Sequence, residues 1–257
     1  MTTVSGTNDV SYLYPLFAAV DPYRSADHML MLPPVQPGSS LAADDAPLGS
    51  WNVTRLVTGS ISIGLTHVDT VRRLVAELNV LDTASPWTLM RGALEDFATA
   101  VYLLHGTRPE RQLRALTLWN DDLRNRALYE DDMGHVATGK AKTGRQRQAE
   151  IQALAASLGF AQLNRPQVII DTIKQAAGIA GMNPARVAAS WRLGSGFAHG
   201  KAWSTMAGSV PRSIVPDPRG GHVVEFEVSD APLQALASAC LGLLKCAEAQ
   251  YGNRRVK

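Results

Sequence analysis

Apolar residues recur along most of this chain at helical spacing. From Trp51 onward, Val57, Ile61, Gly64, Val68, Val71, Val75 and Leu78 alternate steps of four and three. That rhythm predicts one long helix with a single buried stripe, ending near Asp82. Ser85-Pro86 restarts a helix with Leu89, Ala93, Phe97, Val101 and Leu104 inward. Pro109 opens a third, with Leu113, Leu116, Asn120, Leu123 and Ala127 on one side and Gly134 as its stop. Shorter helices follow: one carries Ile151, Leu154 and Leu158 and stops at Gly159, and another starts near Pro166 with Ile169, Ile170 and Ile173. Asn183-Pro184 is a cap followed by a proline at the first helical position, and predicts a helix running to about Met206. The last helix starts at Ser229 or Asp230 and holds Leu233, Leu236, Cys240, Leu243 and Ala247 in one seam.

Two regions break this rhythm. Between Pro211 and Val228 a short strand, a Pro/Gly turn and alternation at Val224, Phe226 and Val228 predict a β-hairpin. Residues 1–50 carry Pro33-Pro34 and Pro37-Gly38-Ser39-Ser40 and predict an extended N-terminal arm. Its aromatics Tyr12, Tyr14, Phe17 and Tyr23 are expected to dock it on the body. The fold class is therefore all-α: a helical bundle over residues 51–257 with one small hairpin near 211–228, preceded by the arm.

Composition narrows the function classes. In 257 residues, 46% are apolar and 19% charged, with a net charge of +2, ordinary values for a globular protein. So small a charge means that binding to an anionic polymer must come from a local patch. No segment approaches the roughly 20 apolar residues of a membrane helix. The N-terminus lacks a basic segment leading into an apolar run, which predicts a cytoplasmic protein with no membrane association. Cys240 and Cys246 lie six apart on one predicted helix, on different faces, and are expected to be free thiols.

The chemistry concentrates on the helix after Asn183. Arg192, Ser195 and His199 stand at i, i+3 and i+7 and share a face. Val187, Trp191, Gly194, Ala198 and Ala202 form the neighbouring stripe, and Trp191 and Trp203 flank the polar cluster, available for base stacking or for packing. Gly194 and Gly196 each cost a helix about 1 kcal/mol relative to alanine. That cost predicts another helix, or a ligand, close to the backbone there. Arg91 and Glu95 form a second constellation at i and i+4, with Tyr102 on nearly the same face. Glu95 is positioned either to anchor Arg192 or His199 from across the bundle or to make a surface ion pair. Lys140, Lys142, Arg145 and Arg147 make a basic segment without an acid, read either as a phosphate-attracting patch or as a solvated loop entering a helix. The aspartates at 121–122 and 131–132 lack calcium-loop spacing, and no cofactor or metal site is expected.

An arginine, six residues and a histidine on a helix of a compact bundle resemble the motif of the HEPN superfamily. The resemblance covers roughly residues 52–134 and 184–252. It departs from the family at Leu193, where a polar residue is usual, and in the inserted hairpin. It implies RNA as partner and, in active members, metal-independent endoribonuclease chemistry in a homodimer whose two Arg–His pairs meet across a groove. Toxin or phage-defence roles belong to the same implication. Carried onto this sequence, His199 is the general base or acid and Arg192 the phosphate clamp, with Ser195 orienting ring or phosphate. The chemistry is sound. Attack by a ribose 2′-hydroxyl needs a proton acceptor working near neutral pH, and the developing phosphorane needs a forked cation. Two other readings stay open. One is a non-catalytic scaffold or accessory protein in which the cluster is structural, and the other a small-molecule or nucleotide pocket between helices.

Overall fold

A computed structural model describes residues 10–24, 31–134, 141–160, 163, 166 and 168–257. It is predominantly helical, with an antiparallel pair of strands as the sheet found among these residues. The helices are α1 (Tyr14–Val20), α2 (Ser40–Asp45), α3 (Val53–Arg72), α4 (Ser85–Leu104), α5 (Arg108–Asp132), α6 (Gly144–Ser157), α7 (Ile169–Ile179), α8 (Pro184–Ala198), α9 (Ala202–Gly208) and α10 (Asp230–Arg255). Strands β1 (Ser209–Pro216) and β2 (His222–Val228) lie between α9 and α10. The chain divides into two compact units, and α3, α4 and α10 contribute residues to each.

The first unit takes in residues up to Leu32, Ser60–Tyr102 and Ile169–Glu248. The apolar stripes found in the sequence supply its core: Ile61, Val68 and Val71 of α3, Phe97 and Val101 of α4, Ile173 of α7, and Leu233, Leu236, Cys240 and Leu243 of α10 are buried. Gly64 belongs to the same stripe for a steric reason. A β-carbon there would sit 2.5 Å from Phe97 Cε1, so only glycine lets α3 and α4 approach this closely. The stripe fails at its end. Arg73–Glu77 is a turn of π-helix, closed by the Leu78 amide on the Arg73 carbonyl at 3.1 Å. The wider turn advances the register, and Leu78 emerges 64% exposed in place of its expected inward position.

The N-terminal arm carries short helices in its described part. Pro15 sits in the first turn of α1, where it needs no amide partner, and Leu13, Leu16, Phe17 and Val20 are buried. The Tyr12 hydroxyl reaches Asp230 and that of Tyr23 donates to Glu248 at 2.8 Å, as docked aromatics should. Tyr14 is instead exposed. The hairpin pairs Ser209 with Val228 through Pro216 with His222 and carries a bulge between Pro211 and Ser213. Pro211 cannot donate to the ladder, which accounts for the irregularity there.

The second unit comprises Pro33–Gly59, Leu103–Val168 and Ala249–Lys257. Its anchor is a buried ion pair. Arg111 grips Asp44 through Nε on Oδ2 at 2.7 Å and Nη2 on Oδ1 at 2.8 Å, and donates to the Gly106 carbonyl at 2.5 Å. Gln112 donates to the Asp44 carbonyl at 2.9 Å. Thr107 and Glu110 cap α5 reciprocally, and α6 begins with a second such box, Thr143 and Gln146. Gly134 and Gly159 stand at positive φ after α5 and α6, where the sequence placed the stops.

Candidate functional site: a basic, tryptophan-lined cleft on α8 and α9

Helix α8 starts where Asn183 predicts: its side-chain oxygen accepts the amides of Ala185 at 3.0 Å and Arg186 at 3.1 Å. It ends at Ala198, eight residues before the expected Met206. Gly200 adopts φ +61°, its amide bonds the Phe197 carbonyl, and the Lys201 amide bonds the Gly196 carbonyl at 2.8 Å. These two bonds are a Schellman stop, which a non-glycine residue at 200 would strain. The chain turns back at His199–Lys201 and starts α9, so Trp203 returns against the face that carries Arg192 and Ser195.

The two interior glycines of α8 are explained by this packing. A β-carbon on Gly194 would meet Arg91 Cβ at 2.9 Å and the Trp87 carbonyl at 3.1 Å, so α4 is the close neighbour. One on Gly196 would strike Ser204 Cβ at 2.6 Å and Trp203 Cζ2 at 3.0 Å. The approach expected from the sequence is thus made by protein on both sides.

An open cleft of about 250 Å³ results, lined by Trp191, Arg192, Ser195, Gly196, His199, Lys201 and Trp203. Arg192, Ser195 and His199 therefore line one concavity, although His199 is the residue that caps α8 and not part of a continuing helix. Arg192, His199 and Lys201 are exposed. Among the described residues none of these three side chains has a hydrogen bond or an ion pair. Ser195 contributes its carbonyl to the His199 amide at 3.1 Å, and among the described residues its hydroxyl has no partner. Such a cleft offers the positive charge of Arg192 and Lys201 with no carboxylate paired to either among the described residues, which is the electrostatic requirement for an anionic ligand.

Glu95 does not touch Arg192 or His199. Its Oε1 takes Arg91 at 2.6 Å and the Trp191 indole N–H at 2.5 Å, and the Arg91 guanidinium lies 5.8 Å from the Trp191 ring centre. Glu95 and Arg91 thus hold one wall of the cleft, while Tyr102 is half-buried on α4 and does not line it. Beside Glu95, Asp96 is pushed up to about 7 by burial and then by the Glu95 charge. His67 Nε2 faces it at 3.9 Å, with its own proton affinity lowered by burial. Gly92 makes room for that imidazole.

The basic segment behaves differently. Lys140 lies outside the described residues. Lys142 pairs with Glu150 and Arg145 with Asp131, so their charge is neutralised where it stands. Arg147 has a buried Nε with no hydrogen-bond partner. Thr143, in their midst, caps α6. Among the described residues no group of three histidine, cysteine or carboxylate side chains is placed to hold a metal ion. Neither Cys240 nor Cys246 is in a disulfide among the described residues, and no described helix is long and apolar enough to cross a membrane.

Lys201 is the lining residue that sequence reasoning missed. The signal was present in Gly200, a C-terminal stop that folds the next residues back toward α8. Comparison with protein-family models, with curated proteins and with solved structures returns no match for this chain.

Proposed function

We propose that this protein binds RNA in the α8–α9 cleft and cleaves it without a metal ion, in the manner its resemblance to the HEPN superfamily implies. Arg192 and Lys201 hold the phosphate, and His199 moves the proton between the ribose 2′-hydroxyl and the leaving oxygen. A second copy of the chain supplies the paired Arg–His set of a homodimeric groove. One observation carries the reading: two cations and an imidazole, whose side chains have no partner among the described residues, line one open concavity beside exposed indole. A histidine that only fixed the fold would be expected buried with its hydrogen bonds made. His199 is exposed, and its ring makes none among the described residues.

A second reading, RNA binding without cleavage, is favoured by a separate observation. No carboxylate or hydroxyl fixes the orientation of the His199 ring among the described residues, and a general base usually has such a partner.

Incubation of purified protein with mixed RNA in EDTA, beside His199→Ala and Arg192→Ala, decides between them. Cleavage by the native chain that both variants lose supports the nuclease. Cleavage that His199→Ala retains removes His199 from the mechanism. RNA retention without strand scission leaves the binding reading.

A further inference from the structure

The five tryptophans are not equivalent. Trp51 and Trp119 pack edge to face at 5.7 Å, and Trp87 stacks on Phe197 at 4.9 Å with 5° between the planes. Trp191 is fixed by Glu95 and Arg91. Trp203 is different. It is 53% exposed, and among the described residues neither its ring nor its indole N–H has an aromatic, cationic or hydrogen-bonding partner. It nevertheless has a defined seat, because its Cζ2 edge rests over Gly196, where any side chain would collide with it. It also shares the cleft with Arg192, His199 and Lys201.

Exposing a large flat ring to water is unfavourable, and fixing it beside Arg192 and Lys201, which have no ion pair among the described residues, places two complementary chemistries together. A nucleobase offers a π-face for the ring, and the phosphate attached to it offers negative charge for the cations. Aromatic stacking of this sort discriminates unpaired from paired nucleic acid, because a base inside a duplex has both faces covered. Tripolyphosphate has the charge and lacks the face.

We infer that Trp203 is a stacking platform for one unpaired nucleotide whose neighbouring phosphate sits on Arg192 and Lys201, making the cleft selective for single-stranded RNA. This inference rests on the RNA reading above. It adds a specificity-determining residue that the Arg–His pair does not supply.

The test measures binding of native protein, Trp203→Ala, Trp203→Phe and Arg192→Ala to three probes: a single-stranded octaadenylate RNA, an octamer RNA duplex, and tripolyphosphate. Circular dichroism checks that each variant is folded, which the exposure of Trp203 favours. The expected result is octaadenylate binding at least ten-fold tighter than duplex by the native chain. Trp203→Ala loses about ten-fold or more on octaadenylate and nothing on tripolyphosphate, whereas Trp203→Phe keeps most of the affinity. Tryptophan fluorescence is quenched by octaadenylate in the native protein and much less in Trp203→Ala. If Trp203→Ala binds octaadenylate as well as the native chain while Arg192→Ala does not, the stacking inference falls and the RNA reading stands. If native protein binds neither RNA, both fall.

Discussion

Glu95 Oε1 accepts the indole N–H of Trp191 across 2.5 Å, joining α4 to the wall of a cleft built 96 residues later in the chain. The same oxygen holds Arg91 at 2.6 Å, and Arg91 lies over the Trp191 ring. One carboxylate therefore fixes both the edge and the face of that indole. Glu95→Ala releases the ring and leaves Arg91, half-buried, without its ion partner. The expected outcome is a loss of about 1–3 kcal/mol in urea unfolding, accompanied by several-fold weaker RNA binding. Unchanged RNA affinity in a folded Glu95→Ala protein would show that Trp191 needs no such fixing.

Asp96 gives the fold a pH dependence of predictable sign. In the folded chain its carboxyl keeps its proton up to about 7, whereas an unfolded aspartate loses it near pH ~4. Folding therefore takes up a proton between those values. The contribution of Asp96 is complete below about pH 4 and is lost as the pH rises toward 7. Asp96→Asn stays uncharged throughout, so its stability advantage over the native chain should grow from pH 5 to pH 8. His67 contributes the opposite slope, since burial disfavours its charged form, and making the comparison in a His67→Gln background removes its interaction with Asp96 across 3.9 Å. Thermal midpoints at the two pH values check this, and a gap that shrinks toward pH 8 contradicts it.

In the second unit, Asp44→Ala strands the Arg111 guanidinium in the interior. Breaking a buried pair in this way costs about 3–5 kcal/mol. Replacing both partners, Asp44→Ala with Arg111→Met, should recover a large part of that loss, because no unpaired charge then remains buried. Chemical unfolding of the single and double variants measures the difference. A double variant no more stable than Asp44→Ala would mean that the helix contacts of Arg111, and not its charge, matter.

Cys240 lies in the core, where burial pushes its thiol far up, and its Sγ is 3.3 Å from the Met90 carbonyl. Alkylation at pH 8 followed by peptide mass analysis should find Cys240 unmodified in the folded protein and modified in urea. Modification before unfolding would contradict the packing of α10 against α4.

Much of this architecture can be read from the chain because its information is local. Stripes at steps of three and four, the Asn183-Pro184 cap and the glycine stops after α5 and α6 each act within a few residues. So does the shared face of Arg192 and Ser195. The helix end at Gly200 was equally local, and was obscured by the apolar and small residues that continue past it to Met206. What the chain does not announce is long-range pairing. Asp44 sits in an alanine-rich tract and finds Arg111 67 residues away, and Glu95 takes the Trp191 indole in place of Arg192 or His199. Nothing in local spacing selects among such partners, because the choice depends on which helices come to lie side by side. The π-turn that exposes Leu78 is invisible for a related reason: the sequence continues the 3.6-residue rhythm while the backbone leaves it.

In the proposed RNA site Arg192 and Lys201 supply the charge of the floor and His199 lies beside them. Fluorescence anisotropy of a labelled single-stranded RNA, titrated with native protein and with the Arg192→Ala/Lys201→Ala variant across a range of salt concentrations, tests this most directly. The account predicts that the variant binds at least ten-fold more weakly and that its dependence of log affinity on log salt is shallower by between one and two in slope, one phosphate contact being lost for each cation removed. Equal affinity and an equal slope in the two proteins would contradict it.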